Sequence, residues 1–543
     1  MQATQARRGI AEVSVAAGLA RWRTAFIVAF AVLLLLKWVI AGTLSPFGDE
    51  AFYWQESRHP AWGYTDLPPL TAWLIRLGES VAGHGLFGMR WPFLLLGSAL
   101  PWLVVMFARR TFDARVGWQA GLLCLALPLA GSLGVLALPD VPLTVATMLA
   151  LVALLRAMQD DRRRDWLLLG VALALGWLTH YRAAMLMLVG LLLLVLTPRG
   201  RAQWRRGGLW LALAIGALGL VPLAISNWQQ QGAGLAFQLV ERNPWRFHAG
   251  ALAQPLEQAL TCTPLLYALL LWAAWHSWRR RAEGGAWELI AVTSLGFLVL
   301  YFGLGLFADD LRFRVHWPLP GYLPLLAALP ALAQHAARRW RIAIGIGAAS
   351  AGLGVWVGLG YLALAASPHG AGWLSGSKLF PSNFVGWRES AVATRQLLDR
   401  QSAVLVADNF MLAAELDFEL NGRQPVYTLD SPLNVKHGRA PQLAIWQRDE
   451  AGLRGAHAGQ PVLLVVSEVI LRERERLAWL GSLCGRIDRP QLVRRLDLFD
   501  GRKRMAFYRG VVPAAPPASP VDPTTCLFWR NAVEAARSVD VAR

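Results

Sequence analysis

The feature that most constrains this chain is a series of apolar segments long enough to cross a bilayer. They recur through the first two thirds of its 543 residues, and a helical crossing needs about 20 mainly apolar residues. Only 16% of the residues are charged, against about a quarter in soluble proteins. A conventional water-soluble enzyme and a disordered chain are therefore excluded. The segments lie at about 24–44, 91–108, 116–137, 141–158, 166–179, 183–197, 209–226, 256–275, 286–306, 317–334 and 342–366.

Arginine clusters predict the orientation of these segments, because basic residues gather in cytoplasmic loops. The clusters are Arg7, Arg8, Arg21 and Arg23; Arg109, Arg110 and Arg115; Arg156 and Arg162–Arg164; Arg199, Arg201, Arg205 and Arg206; Arg279–Arg281; and Arg338, Arg339 and Arg341. They occupy alternate loops, which places the N-terminus inside and the C-terminus outside. The net charge of +18 thus needs no nucleic acid to explain it. The first segment lacks a small-residue cleavage site after it and is expected to be retained as a span.

The region 166–197 decides the number of spans. Two short apolar runs flank Thr179–Arg182, and a single span here would put one arginine cluster on the wrong side of the membrane. Two short helices preserve the alternation. We therefore predict a hairpin here and a total of about eleven transmembrane helices.

The composition changes after about Ser367. Short apolar runs at 403–407, 425–429, 461–466 and 505–508 are typical of strands, and 387–400 and 469–480 are typical of helices. We predict a cytoplasmic tail (1–23), a multi-helix membrane domain (24–366) with a large outer loop (45–90), and an extracytoplasmic α/β domain (367–543). Cys484 and Cys526 would share an oxidising compartment, where a disulfide and two thiols are equally compatible with the sequence.

Polar residues collect in the loops assigned to the outer side. They include Asp49, Glu50, Glu56, Arg58, His59 and Asp66 in the first loop; Asp140 in the second; His180, Tyr181 and Arg182 in the third; Arg242 in the fourth; and Arg312, Arg314 and His316 in the fifth. Ionisable groups at membrane depth often mark a substrate path. A carboxylate can accept a proton from a hydroxyl nucleophile, and arginine binds phosphate through paired hydrogen bonds.

Each of these residues also has a purely structural interpretation. Asp140 precedes an apolar run and suits a helix cap, while Asp49 and Glu50 open a helical stretch whose dipole favours acids. A single outer arginine is often an interface anchor. Only the collection of these residues on one side favours a site. The four cysteines lack CxxC or zinc-like spacing, and no Gly-rich phosphate loop is visible, so we predict neither a metal nor a cofactor.

Several short motifs occur in a characteristic order. They are Gly48–Trp54 with Gly63–Leu74, Pro139–Leu143, Leu178–Ala183, Asn227–Trp228 with Phe237–Gln238, and His316–Pro318. As an ordered set over roughly residues 45–330, they resemble the bacterial protein O-mannosyltransferase and lipid A aminoarabinose transferase families of the C-type glycosyltransferase superfamily.

This resemblance implies a multi-pass enzyme of the bacterial inner membrane. It would move a sugar from a polyprenyl-phosphate donor to a hydroxyl of lipid A, another glycan or a protein on the periplasmic side. Asp49 would be the catalytic base or acceptor-orienting carboxylate, and Glu50 would support it. The expected substrate-binding residues are Asp66, Asp140, His180, Tyr181, Arg182, Arg242, Arg312, Arg314 and His316. The family commonly has Lys or His at the position of Leu67 and Lys at the position of His180. Because this chain lacks those residues, neighbouring arginines are expected to bind the phosphate.

Three other functions fit a similar hydropathy pattern. A lipid-linked glycan transporter or flippase would more typically show repeated halves with broken helices at the midplane, and no such repeat is evident. A glycan polymerase or ligase on a related fold is a second alternative, against which the Asp49–Glu50 loop argues. A structural anchor for the C-terminal domain would leave the acids at the membrane surface unexplained.

Overall fold

The structure is a computed structural model, and it describes residues 2–241, 245–307, 315–469, 473–516 and 526–531. The chain is mainly helical as far as residue 374. The α-helices of this part are α1 (Gln2–Thr43), α2 (Gly48–Arg58), α3 (Leu70–Ala82), α4 (Leu86–Thr111), α5 (Ala114–Ala126), α6 (Pro128–Gly131), α7 (Asp140–Asp160), α8 (Arg163–Thr179), α9 (Ala183–Leu196), α10 (Pro198–Gln203), α11 (Gly207–Leu218), α12 (Leu220–Gln229), α13 (Ala233–Ala236), α14 (Gln254–Cys262), α15 (Pro264–Arg279), α16 (Gly285–Phe307), α17 (Leu319–His335), α18 (Arg338–Ala365) and α19 (Pro368–Leu374).

Helices and strands alternate in the rest of the chain. The elements are α20 (Trp387–Arg400), β1 (Val404–Ala407), α21 (Phe410–Glu419), β2 (Val426–Thr428), α22 (Pro432–Lys436), α23 (Ala440–Ile445), α24 (Glu450–His457), β3 (Pro461–Ser467), α25 (Glu473–Ser482), β4 (Asp488–Leu498) and β5 (Lys503–Val511). Short 3₁₀ turns lie at Ala249–Ala253 and Arg281–Glu283, and a π turn lies at Phe237–Glu241. The chain divides into two compact units, Met1–Gly42 with Ala61–Tyr361 and Thr43–Pro60 with Leu362–Arg543.

The first unit is a helical bundle with an apolar core. Within the described residues, six helical stretches are long and apolar enough to cross a membrane: Ala16–Thr43, Leu86–Thr111, Asp140–Asp160, Gly207–Gln229, Gly285–Phe307 and Arg338–Ala365. The pair Ala249–Cys262 and Pro264–Arg279, bent by 114°, makes a seventh if it is counted as one span. The prediction of a polytopic helical protein is confirmed at this level.

The remaining predicted segments also coincide with helices, but with shorter ones. The segment at 116–137 contains α5 and α6, those at 166–179 and 183–197 contain α8 and α9, and the one at 317–334 contains α17. The chain leaves helical geometry at residues 180–182, as the hairpin prediction requires, and α8 packs against α9 beside this break. The full count of eleven crossings stays a prediction.

The second unit contains a five-stranded sheet in the order β2-β1-β3-β5-β4. The first three strands are parallel, and β5 joins them and β4 in antiparallel fashion. This agrees with the predicted α/β pattern. The sequence did not reveal β4, because this edge strand carries several charged residues and is largely exposed. Cys484 and Cys526 are joined by a disulfide that closes 42 residues of chain.

Helix α2 belongs to this second unit. Its side chains pack against α21, where Phe52 meets Phe410 and Trp54 meets Phe418, each pair edge to face with ring centroids 5.4–5.6 Å apart. Gln55 Nε2 also donates a hydrogen bond to Asp417 Oδ2 at 2.8 Å. The sequence assigned α2 to a membrane-side loop, and its packing against the α/β domain comes from the structure alone.

Candidate functional site

Helix α2 places two acidic residues in its first turn. The Glu50 side chain turns back along the helix, and the backbone N–H of Phe47 donates to its Oε2 at 3.0 Å. This contact satisfies one of the amide groups that every helix leaves unpaired at its start. Glu50 is fully buried, whereas the Asp49 side chain is 26% exposed. Asp49 thus keeps an accessible carboxylate at the positive end of the helix dipole.

The Asp49 carboxylate is paired with Arg439, which directly precedes α23. Arg439 Nη2 donates to Asp49 Oδ1 at 3.2 Å. Its Nη1 lies 3.7 Å from Oε1 of Glu56, which is near the other end of α2. Both Arg439 and Glu56 are almost completely buried. One planar guanidinium therefore bridges the two ends of α2, which a flexible lysine would not do in the same way.

Arg439 is held in place by further contacts besides those with Asp49 and Glu56. Its guanidinium carbon lies 4.3 Å from the centre of the Phe52 ring, a distance typical of cation–π contact. The Arg439 backbone N–H donates to the carbonyl of Asn434 at 2.8 Å. The Asn434 side chain in turn accepts from the N–H of Phe410 and donates to the carbonyl of Leu429. Through Asn434, the Arg439 backbone is therefore tied to the segment that directly follows strand β2.

A second polar cluster lies in the helical unit. Asp140, the first residue of α7, accepts a hydrogen bond from Arg182 Nη2 through its Oδ1, and His316 Nε2 lies 3.1 Å from the same oxygen. The guanidinium of Arg182 also lies 5.4 Å from the Trp317 ring centre. Pro139 is the N-cap residue of α7 and Asp140 follows it as the first helical residue, so Asp140 does not occupy the capping position. It organises two cationic groups instead.

Asp66 and Tyr181 belong to a third set of contacts in the same unit. Gln238 Nε2 donates to the backbone carbonyl of Asp66 at 2.7 Å, and Asn227 Nδ2 donates to the Tyr181 hydroxyl at 3.3 Å. Asn227 also accepts from the N–H of Leu235. Burial raises the pKa of Tyr181, so this side chain stays a neutral phenol. Segment 227–238 therefore holds the loop that contains Asp66.

The other predicted site residues fall into two groups. His180 is buried, and its Nδ1 accepts from the backbone N–H of Arg182 at 3.0 Å, which fixes the turn between α8 and α9. Arg242, Arg312 and Arg314 lie outside the described residues. Within the described ranges, no group of three or more His, Cys, Asp or Glu side chains is arranged to hold a metal ion.

Comparison with known proteins gives the geometry a family context. Residues 66–225 match the model of the dolichyl-phosphate-mannose-protein mannosyltransferase family. The undecaprenyl phosphate-alpha-4-amino-4-deoxy-L-arabinose arabinosyl transferase of Pseudomonas aeruginosa is 32% identical over 321 residues, which are 56% of this chain and 55% of that protein. The resemblance to C-type glycosyltransferases is confirmed.

A second curated relative and a solved structure show the same resemblance. The lipid A galacturonosyltransferase RgtD of Rhizobium johnstonii is 25% identical over 242 residues, 44% of this chain and 50% of that protein. The chain therefore spans about half the length of the curated relatives it matches. The crystal structure of ArnT from Cupriavidus metallidurans bound to undecaprenyl phosphate superposes with a TM-score of 0.64 at 18% identity, covering 91% of this chain and 99% of that one. The two proteins share a fold.

The glycosyltransferase match covers only some of the candidate residues. Asp66, Asp140, Tyr181 and Arg182 fall within the matched segment, whereas Asp49 precedes it. Sequence reasoning missed Arg439 entirely, although this residue donates a hydrogen bond to the Asp49 carboxylate. Its only sequence signal is an arginine in the α/β domain, and that domain contains many exposed arginines. The assignment of catalytic and binding roles to all these residues stays a proposal.

Proposed function

We propose that this protein is a bacterial inner-membrane glycosyltransferase. It moves a sugar from a polyprenyl-phosphate donor to a hydroxyl of lipid A, another glycan or a protein on the periplasmic side. Its eleven apolar segments cross the membrane, including the shorter helices α5, α8, α9 and α17. One relative is named for an undecaprenyl-phosphate-linked arabinose and another as a lipid A galacturonosyltransferase. The second name makes a glycolipid acceptor the leading choice among the three.

The observation that carries this proposal is the different exposure of the three acids of α2. Glu50 and Glu56 are buried, whereas Asp49 is a quarter exposed and is oriented through one oxygen by Arg439. Among the described residues, the second oxygen of Asp49 has no partner. A carboxylate held in this way suits a group that accepts a proton from an incoming hydroxyl. Glu50 supports it by fixing the first turn of the helix.

In this mechanism, Arg182 and His316 bind the donor phosphate and stabilise the negative charge that develops on it as the glycosidic bond breaks. Asp140 positions both cations in advance. Preorganised charges of this kind act in a water-poor site where they are worth far more than in bulk water. Arg242, Arg312 and Arg314 are further candidates for this role. Tyr181 and Asp66 shape the binding site, and His180 fixes the turn that carries Arg182.

The proposal is tested by comparing the envelope glycolipids of a deletion strain with those of its parent by mass spectrometry. We expect one glycolipid to lose the mass of a single sugar in the deletion strain and to regain it with the wild-type gene. Purified protein should then transfer that sugar from a polyprenyl-phosphate donor to the unmodified glycolipid. Accumulation of a complete lipid-linked glycan without loss of any single sugar would instead support the transporter alternative.

A further inference from the structure

A cavity of about 260 Å³ lies beside the C-terminal half of α2, within the second unit. It is lined by side chains from α2, α21 and the segment around Trp446. Pockets for drug-sized ligands usually measure about 300–1,000 Å³, so this one suits a smaller ligand of the size of a single sugar ring. The Asp49–Arg439 pair is not part of its lining.

Two arginines line this cavity without an acidic partner. Arg58 lies 5.8 Å from the centre of the Trp54 ring, and Arg448 lies 5.2 Å from that of Tyr427. Within the described parts of the chain, neither guanidinium has a carboxylate at salt-bridge distance. His59 also lines the cavity, and burial together with the charges of Arg448 and Arg58 lowers its pKa, so it is neutral at neutral pH. Among the lining residues these two guanidinium groups face one carboxylate, Asp417, so the cavity has a surplus of positive charge.

The same cavity contains unsatisfied amide groups. Gln55 is 93% buried by accessible area, since only 7% of it is exposed. Its Nε2 donates to Asp417 Oδ2, which fixes the amide orientation, and its Oε1 has no partner among the described residues. Gln424 Nε2 is buried and unpartnered in the same sense. Leaving a buried polar atom unpaired costs about 1–3 kcal/mol, and the hydroxyl groups of a ligand would remove that cost.

We propose that this cavity binds one sugar ring that carries an anionic group, either a phosphate or a carboxylate. Arg58 and Arg448 bind the anion, and Gln55, Gln424 and Asp417 bind ring hydroxyls. Trp446, whose ring is tilted by 32° against that of His59 with the centroids 4.9 Å apart, offers an apolar face. Sugar recognition of this kind combines a flat aromatic surface with a few fixed polar groups.

The position of the cavity on α2 suggests which substrate it serves. Gln55 and Arg58 lie six and nine residues beyond Asp49, roughly 9 and 13 Å along the helix axis at about 1.5 Å per residue. Resting on the proposed function, the bound ring is then an anionic part of the acceptor, held while a hydroxyl of a neighbouring ring reaches Asp49. The donor phosphate is bound elsewhere, by the Asp140 cluster.

Binding is tested with the full-length protein in detergent and without any donor, by saturation-transfer difference NMR. The probes are glucose 1-phosphate, glucuronate, glucose and inorganic phosphate. We expect at least one of the two anionic sugars to bind to the wild-type protein. Its affinity for the double variant Arg58→Gln/Arg448→Gln should be at least tenfold lower. The exposed pair Arg395→Gln/Arg400→Gln, which lies on α20 away from the cavity, is the matched control and should bind as the wild type does.

Four results would overturn this proposal. They are binding of neither anionic sugar, equal affinity for glucose, equal affinity for inorganic phosphate, and unchanged binding by the cavity variant. If that double variant unfolds, the single exposed replacement Arg58→Glu must abolish binding. Transfer is measured separately: retained transfer without probe binding removes only the cavity assignment, whereas probe binding without any transfer removes only the proposed function.

Discussion

Replacing Arg439 by glutamine tests how the Asp49 carboxylate is held. The change removes the guanidinium that faces both Asp49 and Glu56. Removing one partner of a buried ion pair typically costs about 3–5 kcal/mol, because the other charge is left uncompensated. Asp49 is a quarter exposed and can be hydrated, so most of the cost comes from Glu56, and we expect a value near the lower limit, about 3 kcal/mol.

That cost is measurable as a shift in thermal unfolding. The second unit has about 200 residues, and for a unit of this size 1 kcal/mol shifts Tm by about 2–4 °C. Arg439→Gln should therefore lower Tm by roughly 6–12 °C. The double variant Glu56→Gln/Arg439→Gln removes the buried charge as well and should recover most of this loss. Glu56→Gln alone is the matched single-variant control.

Activity should respond differently from stability. In the double variant Asp49 is no longer oriented, and a misplacement of about 1 Å can cost about 100-fold in rate. We expect kcat to stay reduced by tenfold or more, although the protein is nearly as stable as the wild type. A double variant as unstable as Arg439→Gln would refute the buried-charge argument. A stable double variant with wild-type kcat would refute the positioning of Asp49 by Arg439.

Three further predictions concern other parts of the molecule. Burial raises the pKa of Asp408 to about 7, above its unfolded value, so its contribution should weaken stability as pH rises from about 4 to 7; Asp408→Asn should flatten the Tm profile in that range, and an unchanged profile would contradict this. Reducing the Cys484–Cys526 disulfide should destabilise the second unit by roughly 4 kcal/mol, the entropy of a 42-residue loop, and a Tm that does not change under reductant would oppose it. Arg182→Gln should raise the KM for the lipid-phosphate donor at least tenfold with little change in acceptor KM, and equal changes in both would count against its phosphate-binding role.

Much of the architecture was predictable because hydropathy depends on local composition. Helices lie at the positions of all eleven apolar segments, and four of the five strands coincide with short apolar runs. The edge strand β4 escaped because its exposed arginines and aspartates hide the alternation on which strand recognition depends. The break at 180–182 was predicted from charge parity, a property of the whole chain.

The candidate site was predictable only in part, since sequence reasoning sorts residues by loop and not by three-dimensional contact. It identified Asp140, Arg182 and His316 separately, and the structure brings these three together. The family resemblance implied a catalytic role for Asp49 and a supporting role for Glu50, but the different partners of their two side chains come from the structure alone. Arg439 lies 390 residues from Asp49 in sequence, and no motif in the sequence predicts a contact between residues so far apart.

The most direct test of the account is the rate of sugar transfer by purified Asp49→Asn. Asparagine keeps the size and a hydrogen-bonding oxygen but cannot accept the proton, and loss of a general base typically costs about 100- to 10,000-fold. We predict a kcat reduced by that factor, a Tm close to that of the wild type, and full activity in the exposed control Asp399→Asn. Transfer by Asp49→Asn at a rate near that of the wild type would contradict the central role assigned to this carboxylate.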